Sequence, residues 1–592
     1  MFFNYTVKIP VHTNVSIKKI RDYHYVYYQY ETSYNKVKKM AVPKRTSIGK
    51  QCDDNHDLMY PNNNYFKFFE KKEDHSDSVL PVLSTSQRSS CLKAGTYVVL
   101  KKIIRDYHLI PMLKRIIGDK YGLFLDLAVY SIITEGNAAQ YYPDYAYNHP
   151  LFTENMRIYS DSTVSSFLNH ISVDQSVQFL NSWNETKDHS QKIYISYDST
   201  NKKCQAGDLD LVEVGHSKSG VSDTIFNYSI GYDQKNREPL FYEDYSGSIT
   251  DVTQLEEMIQ KASAFGYKNV GFILDRGYFC EKNIHAMDKN HNDFIIMLKG
   301  MKALVKDTVL ACKGTFEDKY DALIPEYGVS GTTIPMKVFR GDQKNRYVHI
   351  YFNPYKAAAE RDEFLKKIEK MKEDANKRLG TTEPLPKEYQ KYFILDYHPD
   401  KPKKDKNGKV KESKPKLTLV TPRKAVIEDD MKACGYFCLI TSEQMSAKEA
   451  LLLYKSRDDS EKLFRGDKSY LGDKAERTYT SESTRAKIFV EFVALIIRSR
   501  MYVKLVEQSQ KTGHKYNYMT VPAAIRELEK IEIIRYGQDR YRLDHAITKT
   551  QKEILKAFGM TAHDMTDELE SLSIEMDEYD KKYLRDVTSE VI

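Results

Sequence analysis

The sequence predicts an α/β protein: a mixed-sheet core interrupted by a β-rich insertion, with helical regions before and after it. Three observations predict this. Between residues 191 and 298, short strand patterns alternate with helix patterns. Between 299 and 444 the alternation breaks into strand-like pieces. Apolar residues recur at helical spacing in 98–190 and again beyond 446.

In chain order, YHYVYYQYETSYNKVKKMAVPKRTSIGK (23–50) reads as an alternating aromatic strand pair followed by a basic tail, and 51–95 as a polar, irregular linker. Leu123, Leu127, Tyr130 and Ile133 mark helices in the next region, where DSTVSSFLNHI (161–171) opens with a cap signal. KIYISYD is a strand pattern ending in Asp198. TIFNYSIGYDQKNREPLFYEDY (224–245) is two strands turning at Asp233–Arg237, and 252–268 is an amphipathic helix closed by Gly266. VGFILD ends a compact strand in Asp275; a short helix and the strand FIIML follow. Beyond the insertion, YFCLITS is a last apolar strand. Ser446 precedes Glu449 as in a capping box, and 484–502 is a helix apolar on one side. Domain boundaries are expected at 1–95, 96–190 (helical, DNA-binding), 191–298 and 445–502 (two parts of one core), 299–444 (insertion) and 503–592.

A hydrophobic content of 41% excludes a wholly disordered chain. MFFNYTVKIPVHTN lacks a signal-peptide core, and no apolar run approaches ~18 residues, so an intracellular, cytoplasmic location is expected. Seven cysteines without a C-x-x-C pair read as reduced thiols; no histidine lies near Cys434 and Cys438 to complete a zinc site. Charge is uneven. Residues 1–50 carry ten Lys/Arg against Asp22 and Glu31, and 401–424 carry ten against Asp405 and Glu412. Two separated basic segments point to a polyanionic partner.

Strand ends present chemistry because side chains leave the core there while the backbone stays rigid. If the strands before Asp198 and Asp275 are neighbours, the two carboxylates emerge side by side, an arrangement that favours a bound cation. All-oxygen ligation suits Mg²⁺ or Mn²⁺. At about 100° per residue, a continuous helix from Ser446 puts Tyr454, Arg457, Glu461 and Lys468 on one face about 60° wide. An acid flanked by bases fits a place where metal and phosphate meet.

Tyr454, Arg457, Glu461 and Lys468 stand in the spacing Y-x2-R-x3-E-x6-K, which resembles the signature of a large group of bacterial insertion-sequence DDE transposases. YDST around Asp198, GHSKSG (215–220) and LDRGYF around Asp275 are similar to the same family. The resemblance implies a ribonuclease-H-like core with an insertion between its fifth strand and the Glu helix. It also implies that Asp198, Asp275 and Glu461 hold two divalent ions, one activating a water and then a DNA 3′-hydroxyl, the other stabilising the leaving oxygen. Tyr454, Arg457, Lys468, Arg276 and Lys218 are then expected to contact DNA. The implied partners are double-stranded DNA (inverted-repeat ends and target) and a second copy on paired ends, with 503–592 as the dimerisation surface. The bacterial nucleoid is the implied workplace. A metal-dependent nuclease that cuts without joining, or a catalytically decayed DNA-binding repressor, are the alternatives.

Overall fold

A computed structural model describes the chain except at residues 1, 4, 12–13, 21–22, 36–39, 53–54, 70–87, 205–208, 210–211, 217–221, 247–250, 299–301, 400–402, 405–409, 412–413, 459–474, 477, 479, 514–515, 537–538 and 590–592. Two units divide at Leu83/Ser84. In the first, β1 (Val7–Lys8), β2 (Val15–Ile20), β3 (Tyr23–Asn35), β4 (Met40–Gln51) and β5 (Leu58–Pro61) form one antiparallel sheet in the order β1-β5-β4-β3-β2. Helix α1 (Asn63–Phe69) packs Tyr65 and Phe69 onto a small core of Val26, Ile48 and Met59. The expected basic tail is therefore itself a strand. Lys44 and Arg45 stand on exposed positions and Lys50 is half-buried, while Ile48 reaches the core. The expected irregular linker contains β5 and α1.

The second unit opens with β6 (Cys91–Lys93) and six helices: α2 (Gly95–Asp106), α3 (Leu109–Ile117), α4 (Tyr121–Thr134), α5 (Tyr142–Asn148), α6 (Asp161–His170) and α7 (Val173–Glu185). Ser160 caps α6, its Oγ accepting from the Thr163 amide at 3.3 Å, and Ser172 with Gln175 forms a capping box on α7.

The strands that follow are β7 (Ile193–Cys204), β8 (Glu213–His216), β9 (Ser222–Asp233) and β10 (Glu238–Ser246). After helix α8 (Asp251–Ala264) come β11 (Val270–Leu274), helix α9 (Glu281–Lys289) and β12 (Asp293–Met297). Their order in the sheet is β10-β9-β7-β11-β12. β9 is antiparallel to both β10 and β7, and β11 and β12 run parallel to β7. That is the strand order and direction of a ribonuclease-H-like core.

The first strands of the insertion extend the core sheet rather than forming a sheet of their own. After α10 (Lys302–Cys312), the strands β13 (Leu323–Ile324), β14 (Val329–Met336) and β15 (Arg346–Phe352) continue the core sheet. Strand Tyr436–Thr441 lies between β12 and β15, antiparallel to both. Between these strands sit the 24-residue α11 (Pro354–Lys377) and a two-stranded sheet of Phe393–His398 with Lys416–Pro422. In the basic run, Lys403–Lys404 pairs with Val410–Lys411; its side chains lie outside the described residues.

Helix Ser481–Thr512 is buried all round rather than on one side from Ala486 to Ser499, charged Lys487, Glu491 and Arg498 included. Phe492 meets Tyr242 of β10 at 4.9 Å, while Phe489 meets Phe124 of α4 and Phe179 of α7 at 4.7 and 5.2 Å. The helix thus joins the sheet to the helical region. Segment Glu532–Ile534 pairs with β6 and with Arg542–Leu543. The apolar faces of Val521–Leu528 and Lys549–Ala557, both within 503–592, are buried in the same core through Ile525, Leu528, Ile554 and Leu555.

Candidate active site

β7 and β11 are paired in parallel from Ile193↔Val270 to Tyr197↔Leu274. Asp198 and Asp275 are the next residues on each strand, so their backbones lie side by side, about 4.8 Å apart in neighbouring parallel strands. β11 stops there. β7 does not end at Asp198 as its sequence pattern predicts; it continues to Cys204, held by β9 from Ile195↔Asp233 to Lys203↔Ile225. Residues 475–476 pair with Lys203–Cys204 on the β11 side, leaving an interval along that side between the end of β11 and residue 475. The Asp198 side chain lies outside the described residues.

The Asp275 carboxylate is half-buried and caps a short turn, its Oδ1 accepting the Arg276 amide at 2.7 Å. Nη1 of Arg457 stands 3.2 Å from the same oxygen. Among the described residues, Oδ2 has no partner. A carboxylate with one oxygen fixed by N–H donors and the other open is suited to take a divalent cation.

Helix Ala447–Lys455 carries the first part of the signature. Its capping box is present as read from sequence: Ser446 Oγ accepts from the Glu449 amide and Glu449 Oε2 accepts from the Ser446 amide at 2.8 Å. Ala450, Leu451 and Tyr454 pack on Ile273 of β11, Ile295 of β12 and Leu439, on the face of the sheet opposite the long helix. The helix ends at Lys455, and the Arg457 amide bonds to the Tyr454 carbonyl three residues back at 3.2 Å. The wheel positions from 459 to 468, Glu461 and Lys468 among them, lie outside the described residues. Tyr454 is only 6% exposed, so its ring is a support rather than an open DNA contact; the Arg457 guanidinium lies 5.4 Å over it and reaches Asp275. Arg276 is exposed beside the acid. Glu461, Lys468 and Lys218 lie outside the described residues, and no cluster of three His, Cys, Asp or Glu is placed for a metal among those described.

Two features were not read from the sequence. Lys202 of β7 and Glu491 of the long helix form a fully buried pair at 2.7 Å, with Asn137 donating to Glu491 at 3.0 Å. The turn between β13 and β14 meets the signature helix: Lys448 pairs with Glu326 at 2.6 Å, and Lys455 lies 6.0 Å over the Tyr327 ring. The turn itself was signalled by Pro325 and by Gly328, whose φ of +59° favours glycine. Its destination was not.

Residues 214–497 match the family described as the transposase DDE domain. The chain carries a transposase DDE domain. The match includes Asp275, the insertion and the whole four-residue signature, and begins after Asp198. No curated protein matches the transposase. A solved structure, the piggyBac transposase synaptic complex with hairpin DNA, is similar at 10% identity over 79% of this chain and 84% of that one, with a TM-score of 0.29. Among the described residues of the transposase, no helix is long and apolar enough to cross a membrane.

Proposed function

We propose that this DNA transposase cuts and joins the ends of an insertion sequence at a site built from Asp198, Asp275 and Glu461. DDE transposases perform divalent-metal-dependent DNA cleavage and strand transfer. The observation that carries the site assignment is the 3.2 Å contact between Arg457 of the signature and Asp275 at the strand end. Two Mg²⁺ or Mn²⁺ ions held by the three acids would supply Lewis-acid stabilisation of in-line attack at phosphorus. The protein's own residues prepare that chemistry. The β7–β11 pairing fixes the spacing of the two Asp backbones, and the Arg276 amide orients the Asp275 carboxyl. Arg457, stacked on buried Tyr454, is a cation able to pass from Asp275 to a DNA phosphate once metal neutralises the carboxylate. Lys468, Lys218 and exposed Arg276 complete the proposed phosphate contacts, and the protein acts as a homodimer on paired inverted-repeat ends.

The test is cleavage of supercoiled donor DNA bearing the sequences that flank this gene. Nicks at the element ends are expected with Mg²⁺ and none in EDTA, and strand-transfer products are expected from pre-cut ends. Cleavage that persists in EDTA would sink the metal assignment; cutting without joining would reduce the protein to a nuclease.

A further inference from the structure

The N-terminal sheet has a part the catalytic reading does not use. β2 pairs β3 only over Tyr23–Tyr28, and β5 pairs β4 only over Gly49–Gln51. The Gln29 amide still bonds to the Asn14 carbonyl at 2.9 Å, and from Tyr30 to Asn35 and from Met40 to Lys44, β3 and β4 pair only with each other. At ~3.4 Å per residue this ribbon projects about 20 Å. It is largely exposed: Tyr30, which stacks on Phe68 of α1 at 5.5 Å, Tyr34 and Met40 are 46%, 66% and 56% exposed, and Pro43, Lys44 and Arg45 are exposed as well. A lone two-stranded ribbon is marginal in water, so a surface that receives it stabilises it. Register shifts at Val26/Tyr27 and Gln29/Glu31 add twist.

Charge and shape select the receiver. Exposed Lys18 and Lys19 on β2, with Lys50 and Arg45 on β4, surround the base of the ribbon. The acids of the first fifty residues are Asp22 and Glu31, and Glu31 is engaged by Lys44 at 2.9 Å. The major groove of B-DNA, about 12 Å wide, admits a two-stranded ribbon. We propose that this ribbon enters the major groove of duplex DNA, with Lys18, Lys19, Arg45 and Lys50 on the flanking phosphates and Tyr30 and Tyr34 against base edges. The inference rests on the transposase reading only for which DNA is bound, the element's own end; affinity for duplex is measured without catalysis.

The experiment uses the full-length protein in EDTA with a duplex of the element end and a random duplex of equal length. Replacing Lys18, Lys19, Arg45 and Lys50 with Gln is expected to flatten the slope of log K against log salt by about 3.6, roughly 0.9 per lost phosphate contact. Methylation at guanine N7, which lines the major groove, is expected to interfere with binding by wild type, and this interference is lost in Tyr30→Ser/Tyr34→Ser. Glu31→Gln, which frees Lys44, is expected to tighten duplex binding severalfold and reports even where the quadruple variant fails to fold. An unchanged slope, interference confined to minor-groove positions, or ribbon variants that alter sedimentation of the DNA-free protein instead overturn the proposal. A wild type that binds duplex through the ribbon but never cuts with Mg²⁺ overturns the transposase reading and leaves this one standing.

Discussion

Two ion pairs tie β-strands of the core to helices far along the chain, and they differ in how much water they meet. Lys202 and Glu491 are 0% and 1% exposed, 2.7 Å apart, with Lys202 also lying over the Tyr228 ring. Arg457 and Asp275 are 13% and 43% exposed at 3.2 Å. The first pair holds β7 to the long helix only five positions beyond Tyr197, the last residue of β7 paired with β11. A buried charge that loses its partner has no water to replace it, so such a pair resists exchange. The second can trade partners, because solvent, a cation or a phosphate can each satisfy either group. One end of the sheet is thus locked, and the adjacent end is free to change its electrostatic partners.

The largest effect expected is on the exchangeable side. Asp275→Asn removes the anionic charge while keeping shape, and cleavage is expected to fall at least about 10³-fold with end binding retained. Gel assays of nicking and of complex formation read the two separately. Equal losses in both would assign Asp275 to DNA binding and erase the contrast.

On the locked side, Lys202→Met leaves Glu491 buried without its cation and is expected to cost about 3–5 kcal/mol in urea unfolding. The double variant Lys202→Met/Glu491→Leu is expected to recover most of that loss. A single variant as stable as wild type would show that water reaches the pair.

A third measurement extends the comparison into the insertion half of the sheet. His349 on β15 is fully buried between Thr333 and Thr441, at 2.8 and 2.9 Å, and burial lowers its pKa from 6.5 to about 4. The unfolded chain binds a proton there at higher pH than the folded one. Its stabilising contribution is therefore complete above about pH 6.5 and lost as pH falls toward 4, by up to about 3 kcal/mol. Unfolding midpoints of wild type and His349→Gln between pH 7 and 4 are expected to converge; parallel curves would refute the assignment.

The smallest effect expected belongs to Arg457→Lys. Loss of the planar fork is expected to reduce cleavage about tenfold, with stability changed by less than about 1 kcal/mol, since its partner is half-exposed. A stability loss as large as that of Lys202→Met would make Arg457 a structural group and remove the distinction between the two ends.

Sequence by itself determined the elements that hydrogen bonding and side-chain periodicity specify locally: the helices of 98–190, the hairpin turning at Asp233–Arg237, the strand ending in Asp275 and the Ser446 capping box. It also placed two acids at corresponding points of two strands, and the signature around Arg457. Tertiary structure decided what those elements meet. Period-2 alternation says which face a residue takes but not which strand lies beside it, and the Tyr197↔Leu274 register exists only once the sheet has formed. The long helix reads as one-sided because Lys487, Glu491 and Arg498 are charged, yet all three are buried. Lys202, delivered by a strand nearly three hundred positions earlier, and Asn137, which donates at 3.0 Å, make the burial of Glu491 tolerable. The insertion was legible as β-rich but not as an extension of the core sheet, because β15 carries no local mark of its partner, the strand at 436–441. Local propensity costs no chain closure and can be read from neighbours; pairing across hundreds of residues is set by the free energy of the whole buried core, which no single stretch contains.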